Sequence, residues 1–373
     1  MILAPRPKTT SALLLATLLC LWGCDSDQPA TSDTAETTSA AATDQADAIS
    51  NRLWQHFDTA TASAISSVVT LQQALQALAG EPTDAHLQAA RDAWRNSHQQ
   101  LLQLSPLFAL GQVQATLFRQ LDDARWQSDA WPIEPGYLDY FDLYRHSGLV
   151  NDIVIPIDAE AVRHQHGFSS EADVALGLHA MEYLLWGEKG ERPLDDFVAG
   201  SPSSEQQASG MTAIDLPGHR RVALLQLQAN LLLEDLGSLQ YRLSHPASGL
   251  RKAYQSLPPS GRLQLWQQAS AHLLQQLQAG GETSPSQHAP FAGDNRASIR
   301  AQLQAIDTLL SDTDETTPAL LQWLTPQHQE GIARELQALM ESLADSGETE
   351  EDPANLLSAE QRQQLEKLSQ GLK

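Results

Sequence analysis

Apolar residues recur at helical spacing through most of this chain, and this pattern restricts its fold more than any other feature. One face of a helix returns every three to four residues, and seven stretches follow that rule. They cover about residues 53–75, 87–102, 219–243, 262–277, 297–310, 335–343 and 359–368. Gln, Leu and Ala dominate these stretches and favour helices, whereas alternating strand patterns are scarce. The sequence predicts an all-α protein of two packed helical domains that resemble four-helix bundles.

Two long irregular stretches separate the predicted helices, at about residues 126–168 and 187–218. The second is rich in Gly, Ser and Pro, and we expect it to join the two halves. This gives an N-terminal bundle over residues 49–200 and a C-terminal bundle over residues 201–373. Long ordered loops in compact domains are often functional, so both stretches are candidates for contributing to a site.

The first residues resemble the export signal of a bacterial lipoprotein. Arg6 and Lys8 precede an apolar run that is too short to be a transmembrane helix. Cys24 follows this run and comes directly after a small residue. We predict a signal peptide over residues 1–23 and lipidation of Cys24; the alternative is an ordinary secretory signal that contains a Cys. The lipid would anchor the chain in a membrane, facing the periplasm of a bacterium.

Residues 24–48 begin with Cys24 and continue without a large apolar side chain as far as Ala46. A segment of this composition cannot bury enough apolar surface to fold alone, so we expect a disordered tether. The other Cys, Cys20, leaves with the signal peptide. The mature chain then has no disulfide and no thiolate site, and any metal must be held by nitrogen and oxygen ligands.

The formal net charge of −23 disfavours nucleic acid as a partner and attracts cations. Simple solubility of an exported protein explains the same charge. Composition alone therefore does not assign a function.

His179 and Glu182 stand three residues apart in a predicted helix that runs from Gly177 to Gly187. Side chains at this spacing lie on one helical face, and an imidazole beside a carboxylate can share a metal ion. No other His in the chain has a Glu three residues later. The alternative is a buried His–Glu hydrogen bond that holds the two bundles together.

The run Gly-Leu-His-Ala-Met-Glu-Tyr-Leu-Leu-Trp-Gly at residues 177–187 resembles the Gly-x-His-x-x-Glu motif of the imelysin family, also called peptidase M75. Further similar segments follow the family's order over roughly residues 51–343: Arg91 with Trp94, Trp131-Pro132, Asp173-Val174-Ala175, Arg220-Arg221 and residues 288–295. The resemblance implies two helical bundles with a site near their interface, and an exported bacterial protein connected with iron. It also implies that His179 and Glu182 bind the metal.

Two ligands are too few for a metal centre, since a catalytic zinc has three protein ligands and one open position. Asp173 and Asp294 are the two further ligands that we predict, although Asp294 with Asn295 also suits a helix cap. Other candidates are His164, His166, Glu134 and His288. The chain departs from the family at Leu104, where many relatives have a Glu, and at Ala292-Gly293, where a Ser is usual.

The expected function is that of a membrane-anchored periplasmic lipoprotein that binds a divalent metal ion in iron acquisition or sensing. Iron is the first candidate, zinc and calcium are alternatives, and other iron-uptake proteins are the expected partners. One alternative function is a zinc metallopeptidase, but the His-Glu-x-x-His arrangement of zincins is absent from the sequence. The other is an interaction or scaffold protein that binds no metal. We expect a binding protein rather than an enzyme and predict no catalytic residue.

Overall fold

The structure is a computed structural model that describes residues 32–279, 288–314, 317–324, 329–345 and 356–372. These residues form fifteen α-helices and two short 3-10 helices, Leu194–Phe197 and Ala213–Asp215. Within the described ranges there is no β-strand, and Phe141 and Tyr144 form one isolated bridge. The prediction of an all-α protein is confirmed.

The helices are numbered in chain order. They are α1 (Ser32–Gly80), α2 (Asp84–Leu102), α3 (Ser105–Val113), α4 (Ala115–Asp129), α5 (Pro135–Leu138), α6 (Ala159–Gln165), α7 (Gly177–Trp186), α8 (Ser204–Ala208), α9 (Pro217–Ser244), α10 (Gly249–Gln255), α11 (Pro259–Ala279), α12 (Asn295–Ser311), α13 (Leu320–Leu324), α14 (Gln329–Asp345) and α15 (Ala359–Gly371). Among these helices, none combines the length and the apolar character that crossing a membrane requires.

Each of the seven stretches with helical periodicity lies in a helix, namely α1, α2, α9, α11, α12, α14 or α15. The sequence pattern did not predict α3 and α4. Helix α4 buries only two large apolar side chains, Phe118 and Leu121, and its helical geometry breaks at Phe118. Such a helix has too narrow an apolar face to be recognised from periodicity.

The disordered tether predicted for residues 24–48 is wrong over residues 32–48, because α1 already begins at Ser32. Ala46 is buried, and the Asp47 carboxylate lies 2.6 Å from Arg262 on α11. Small and polar residues tolerate a helix, and these contacts hold its later turns. The predicted signal peptide and Cys24 lie outside the described residues.

The described residues from 42 onward form one compact unit. Its buried side chains make a single cluster that includes both sides of position 200. In this core the ring centroids of Trp54 and Tyr254 are 4.2 Å apart, and Phe57 stacks on Trp266 at 4.9 Å. The division into two bundles with a boundary at residue 200 stays a prediction.

Candidate metal centre

Four buried side chains from four separate segments meet inside the body. They are His98 on α2, Asp129 at the end of α4, His179 on α7 and His288, which precedes α12. Each offers one ligand atom, and these atoms all lie within 4.8 Å of one another. We call these four residues the histidine cluster.

The Asp129 carboxylate lies between the three imidazoles. Its Oδ1 is 3.2 Å from His179 Nε2 and 3.9 Å from His98 Nε2, and its Oδ2 is 3.6 Å from His288 Nε2. The rings of His179 and His288 are in contact, with centroids 4.4 Å apart. Three nitrogen donors therefore surround one oxygen donor.

Trp94 positions His98 from one turn earlier on α2, because residues four apart share a helical face. The two rings stack with centroids 4.8 Å apart. The Trp94 indole also donates a hydrogen bond of 2.7 Å to the carbonyl of Leu178, next to His179. A single side chain thus fixes the helices that carry two members of the cluster.

Gly177 allows the start of α7 to reach the end of α4. Its φ of +83° is in the left-handed region, and a Cβ there would lie 2.7 Å from the carbonyl oxygen of Ser128. Only glycine tolerates both the conformation and the approach. Since Ser128 precedes Asp129, this close packing places the carboxylate beside His179, and it explains the Gly of the motif.

His166 joins the same two segments through their backbones. Its Nδ1 accepts the Ala175 N–H at 3.2 Å, and its Nε2 lies 3.0 Å from the Trp126 carbonyl, to which it donates in the matching neutral tautomer. Burial lowers the pKa of His166 to about 4, although the Trp126 bond acts in the opposite direction. Both ring nitrogens are engaged, so the proposal of His166 as a ligand is wrong.

Glu182 contacts His179 and not the rest of the cluster. Its Oε2 lies 3.2 Å from His179 Nδ1, and its Oε1 accepts the Ala292 N–H at 2.9 Å. His179 Nε2 is therefore the ring nitrogen that faces Asp129. A carboxylate behind a ligating imidazole fixes its orientation and tautomer, so the geometry gives Glu182 a positioning role and matches the predicted buried His–Glu hydrogen bond.

The structure does not bring Asp173 into the histidine cluster. Its Oδ2 accepts hydrogen bonds from the Ser169 N–H at 2.8 Å, the Ser169 hydroxyl at 2.6 Å and the Ser170 N–H at 3.0 Å. These bonds hold a turn ahead of α7. Asp173 therefore stabilises the approach to the motif helix.

Asp294, His164 and Glu134 also lie outside the cluster. Asp294 is the residue before α12, but its side chain makes no capping hydrogen bond there, while Asn295 Oδ1 accepts the Ala289 N–H at 2.8 Å. The His164 ring packs against Phe168, with centroids 5.4 Å apart. Of the further candidates, only His288 joins the cluster.

Sequence reasoning missed His98 and Asp129. His98 had a signal, since it lies on the apolar face of α2 one turn after Trp94, where a polar residue needs an explanation. Asp129 had no such sequence signal, because the helix that carries it, α4, was not predicted. Leu104, the position where relatives carry a Glu, is a fully buried core residue.

Burial and neighbouring charges set the protonation of the cluster. Burial lowers the pKa of His288 to about 4, and burial with the His179 charge lowers that of His98 well below its usual value. Burial opposes ionisation of Asp129, but the three imidazoles hold its pKa below the usual range. Burial also opposes protonation of His179, yet hydrogen bonds to Asp129 and Glu182 raise its pKa to about 9.

The donor set fits a metal ion. Both nitrogens of His98 and Nδ1 of His288 are buried with no hydrogen-bond partner among the described residues, which costs free energy. His179 Nε2 faces only the Asp129 carboxylate, at 3.2 Å. Bonds of about 2.0–2.2 Å in a tetrahedral centre separate ligand atoms by about 3.4 Å, and the Asp129 carboxylate lies 3.2, 3.6 and 3.9 Å from the three imidazoles. Three imidazoles and a carboxylate suit iron or zinc, whereas calcium takes six to eight oxygen ligands.

The comparisons with known proteins agree with this architecture. A model described as Imelysin, Peptidase_M75, matches residues 56–373. The chain belongs to the imelysin family. The predicted resemblance is confirmed, and the match extends past residue 343 to the end of the chain.

Two solved structures share the imelysin fold with this chain. One is described as an iron-regulated protein A precursor from Parabacteroides distasonis, with 13% identity, a TM-score of 0.58 and coverage of 88% of this chain and 92% of that one. The other is an Imelysin-like protein from Psychrobacter arcticum, with 15% identity, a TM-score of 0.59 and the same coverage. At these identities the likeness shows the fold alone. No curated protein matches the chain.

Proposed function

We propose that this member of the imelysin family binds a divalent transition metal, with iron as the physiological ion. His98, Asp129, His179 and His288 would hold the ion, and Glu182 would orient His179. The observation that carries the proposal is the meeting of four buried ligand atoms within 4.8 Å. Buried imidazole nitrogens without hydrogen-bond partners are costly in a purely structural cluster, and a bound cation offsets that cost.

Ligand chemistry and family context favour iron, with zinc as the competing ion. Imidazole nitrogen with one carboxylate oxygen binds ferrous iron and zinc alike, and the net charge of −23 attracts either. One structure with the same fold is described as an iron-regulated protein A precursor. That description concerns the other protein, and we extend the connection with iron to this chain as part of the proposal.

The proposed setting is the bacterial periplasm, with the chain anchored in a membrane by a lipid on Cys24 and acting with iron-uptake proteins. The support is the order of basic residues, apolar run and Cys in the sequence. Expression with labelled palmitate tests the anchor: we expect label in the membrane fraction and its loss in Cys24→Ser. Labelled Cys24→Ser protein, or unlabelled wild type, contradicts the proposed lipidation.

The geometry supports binding over peptidase activity. A zinc peptidase needs a carboxylate base that is free to take a proton from the attacking nucleophile. Glu182 is the carboxylate of the motif, but its two oxygens already contact His179 Nδ1 and the Ala292 N–H. This carboxylate acts as a support for the ligands.

Titration of the purified, metal-free chain tests the metal proposal. We would add ferrous iron without oxygen, and zinc separately, and follow binding by calorimetry. One ion per chain should bind with a Kd of roughly micromolar or lower, a free energy of at least about 8 kcal/mol. His98→Ala and His179→Ala should each weaken binding by about 100-fold, or about 2.7 kcal/mol.

His272→Ala is the matched control, because His272 is half-buried on α11 and contacts Gln112 at 3.0 Å, outside the cluster. Its metal affinity should equal that of the wild type. A folded wild type that binds neither ion contradicts the proposal and leaves the histidine cluster as a contact in an interaction protein. Equal losses in all three variants would show binding elsewhere.

A further inference from the structure

We propose that the metal in the histidine cluster also binds a small exogenous anion beside Trp131, whose indole N–H donates a hydrogen bond to that anion. This inference rests on the proposed function and adds a second ligand class to it. The centre would then be open to small molecules as well as to the metal itself.

Trp131 packs against two members of the cluster. Its ring centroid is 5.1 Å from that of His179 and 6.3 Å from that of His288. Its Nε1 is buried, and no atom in the described part of the chain accepts a hydrogen bond from it. Buried indole N–H groups usually have a partner, so this donor next to the ligands needs an acceptor.

Two members of the cluster are slightly exposed and two are not. The side chains of His98 and His179 are 0% exposed, whereas those of Asp129 and His288 are 9% and 10% exposed. Trp131 is itself half-buried and lies against His288. A small ligand would therefore enter beside Asp129 and His288, where Trp131 also lies, because the His98 and His179 side chains have no exposed surface.

A bound divalent cation would supply the positive charge that attracts an anion. The Asp129 carboxylate, whose Oδ2 lies 3.6 Å from His288 Nε2, and the net charge of −23 oppose this attraction, but at physiological salt charges on the surface are screened beyond about 8 Å. Ferrous iron and cobalt also accept more than four ligands, so four protein ligands do not exhaust the coordination sphere.

Azide binding to the cobalt-loaded full chain tests the inference, because cobalt(II) reports its ligands through its visible spectrum. Added azide should change the spectrum in a saturable way. Trp131→Phe keeps the ring and removes the N–H, so it should weaken azide binding by about tenfold while cobalt affinity stays within about twofold. Trp131→Gln restores an N–H donor and should recover part of the loss.

Trp126→Phe is the control, since Trp126 is a half-buried indole near the site that packs on His166 and not on the cluster. Its azide affinity should equal that of the wild type. Cobalt binding without any response to azide overturns the inference alone, and so does an unchanged azide affinity in a folded Trp131→Phe protein. Failure of cobalt to bind overturns the proposed function, and this inference with it.

Discussion

This protein buries two groups of ionisable residues, and the two groups differ in how many of their polar atoms have hydrogen-bond partners. The first is the histidine cluster. The second, which we call the arginine cluster, consists of Asp139, Arg192, Asp196 and Arg221. Asp139, Arg192 and Arg221 are each at most 3% exposed, yet they leave few polar groups without partners.

The arginine cluster satisfies itself. Arg221 binds Asp139 through Nε at 2.6 Å and Nη2 at 3.1 Å, and Arg192 Nη1 lies 3.0 Å from the same carboxylate and 2.9 Å from Asp196. In the described ranges, Arg192 Nε is the only nitrogen of the two guanidinium groups without an acceptor. Such a network ties the loop at Asp139 to the start of α9 and needs no ligand.

The histidine cluster does not satisfy itself. Both nitrogens of His98 and Nδ1 of His288 lack a hydrogen-bond partner within the described residues. The difference teaches that burial of charge alone does not indicate a site. The unpaired donor and acceptor atoms distinguish a cluster that holds the fold together from one that is suited to hold an ion.

The largest expected effect belongs to the arginine cluster. Asp139→Ala leaves two buried guanidinium charges without their shared partner, so the free energy of unfolding should fall by about 3–5 kcal/mol. Urea denaturation of the metal-free protein measures the loss. Asp123→Ala, which breaks an exposed pair with Arg119, should cost less than about 1 kcal/mol. Equal losses in the free energy of unfolding for the two variants would contradict the expectation that the buried ion pairs contribute more to stability than the exposed pair.

His98→Phe should separate stability from metal binding in the histidine cluster. The new ring keeps the stacking on Trp94 and removes two unpaired nitrogens, so the metal-free variant should be as stable as the wild type or more stable. Metal affinity should fall by about 100-fold, or about 2.7 kcal/mol. Denaturation with and without iron gives both quantities. A metal-free variant that loses more than about 1 kcal/mol would show that His98 is mainly structural.

Glu182→Gln should weaken metal binding without unfolding the protein. Its amide still accepts the Ala292 N–H, but its NH2 donates toward His179 Nδ1 and so favours the tautomer with a proton on Nε2. We expect a loss of about 10–100-fold in metal affinity. The free energy of unfolding should fall by less than in Asp139→Ala, because His179 loses only one of the two carboxylates that raise its pKa. Calorimetry and urea denaturation measure the two. Unchanged affinity would contradict the positioning role of Glu182.

Metal binding should release a proton, which is the smallest of these effects. His179, with its pKa raised to about 9, is protonated at pH 7 and must lose its proton to bind the metal. Affinity should therefore rise about tenfold per pH unit up to pH 9. Calorimetry in buffers of different ionisation enthalpy counts the proton. A pH-independent affinity between pH 7 and 8 would contradict the assignment of His179.

The raised pKa of His179 affects the stability of the metal-free protein in the opposite direction to metal affinity. A folded pKa above the unfolded value of 6.5 stabilises the protein fully below pH 6.5, and this contribution is lost as the pH rises to 9. The metal-free protein should become less stable over the window in which metal binding strengthens.

Local pattern was enough for most of the helices and for part of the site. Helices α1, α2, α9, α11 and α12 have wide apolar faces, so periodicity revealed them. His179 was predicted because its partner Glu182 is three residues away on the same helix. Helix α4 was not predicted because its apolar face is narrow, and Asp129 at its end was therefore not predicted as a ligand.

The sequence by itself determined the all-α class, the family and one short motif, since each depends on residues that are close in the chain. Only the tertiary structure decided which side chains share a centre. His98 and His288 lie far from His179 in the sequence, and the packing of α2, α4, α7 and the segment before α12 brings the four side chains together. The tertiary structure also showed that Glu182 contacts His179 Nδ1, the ring nitrogen that faces away from Asp129. Helical spacing predicts that two residues share a face, but it does not predict which other side chains contact that face.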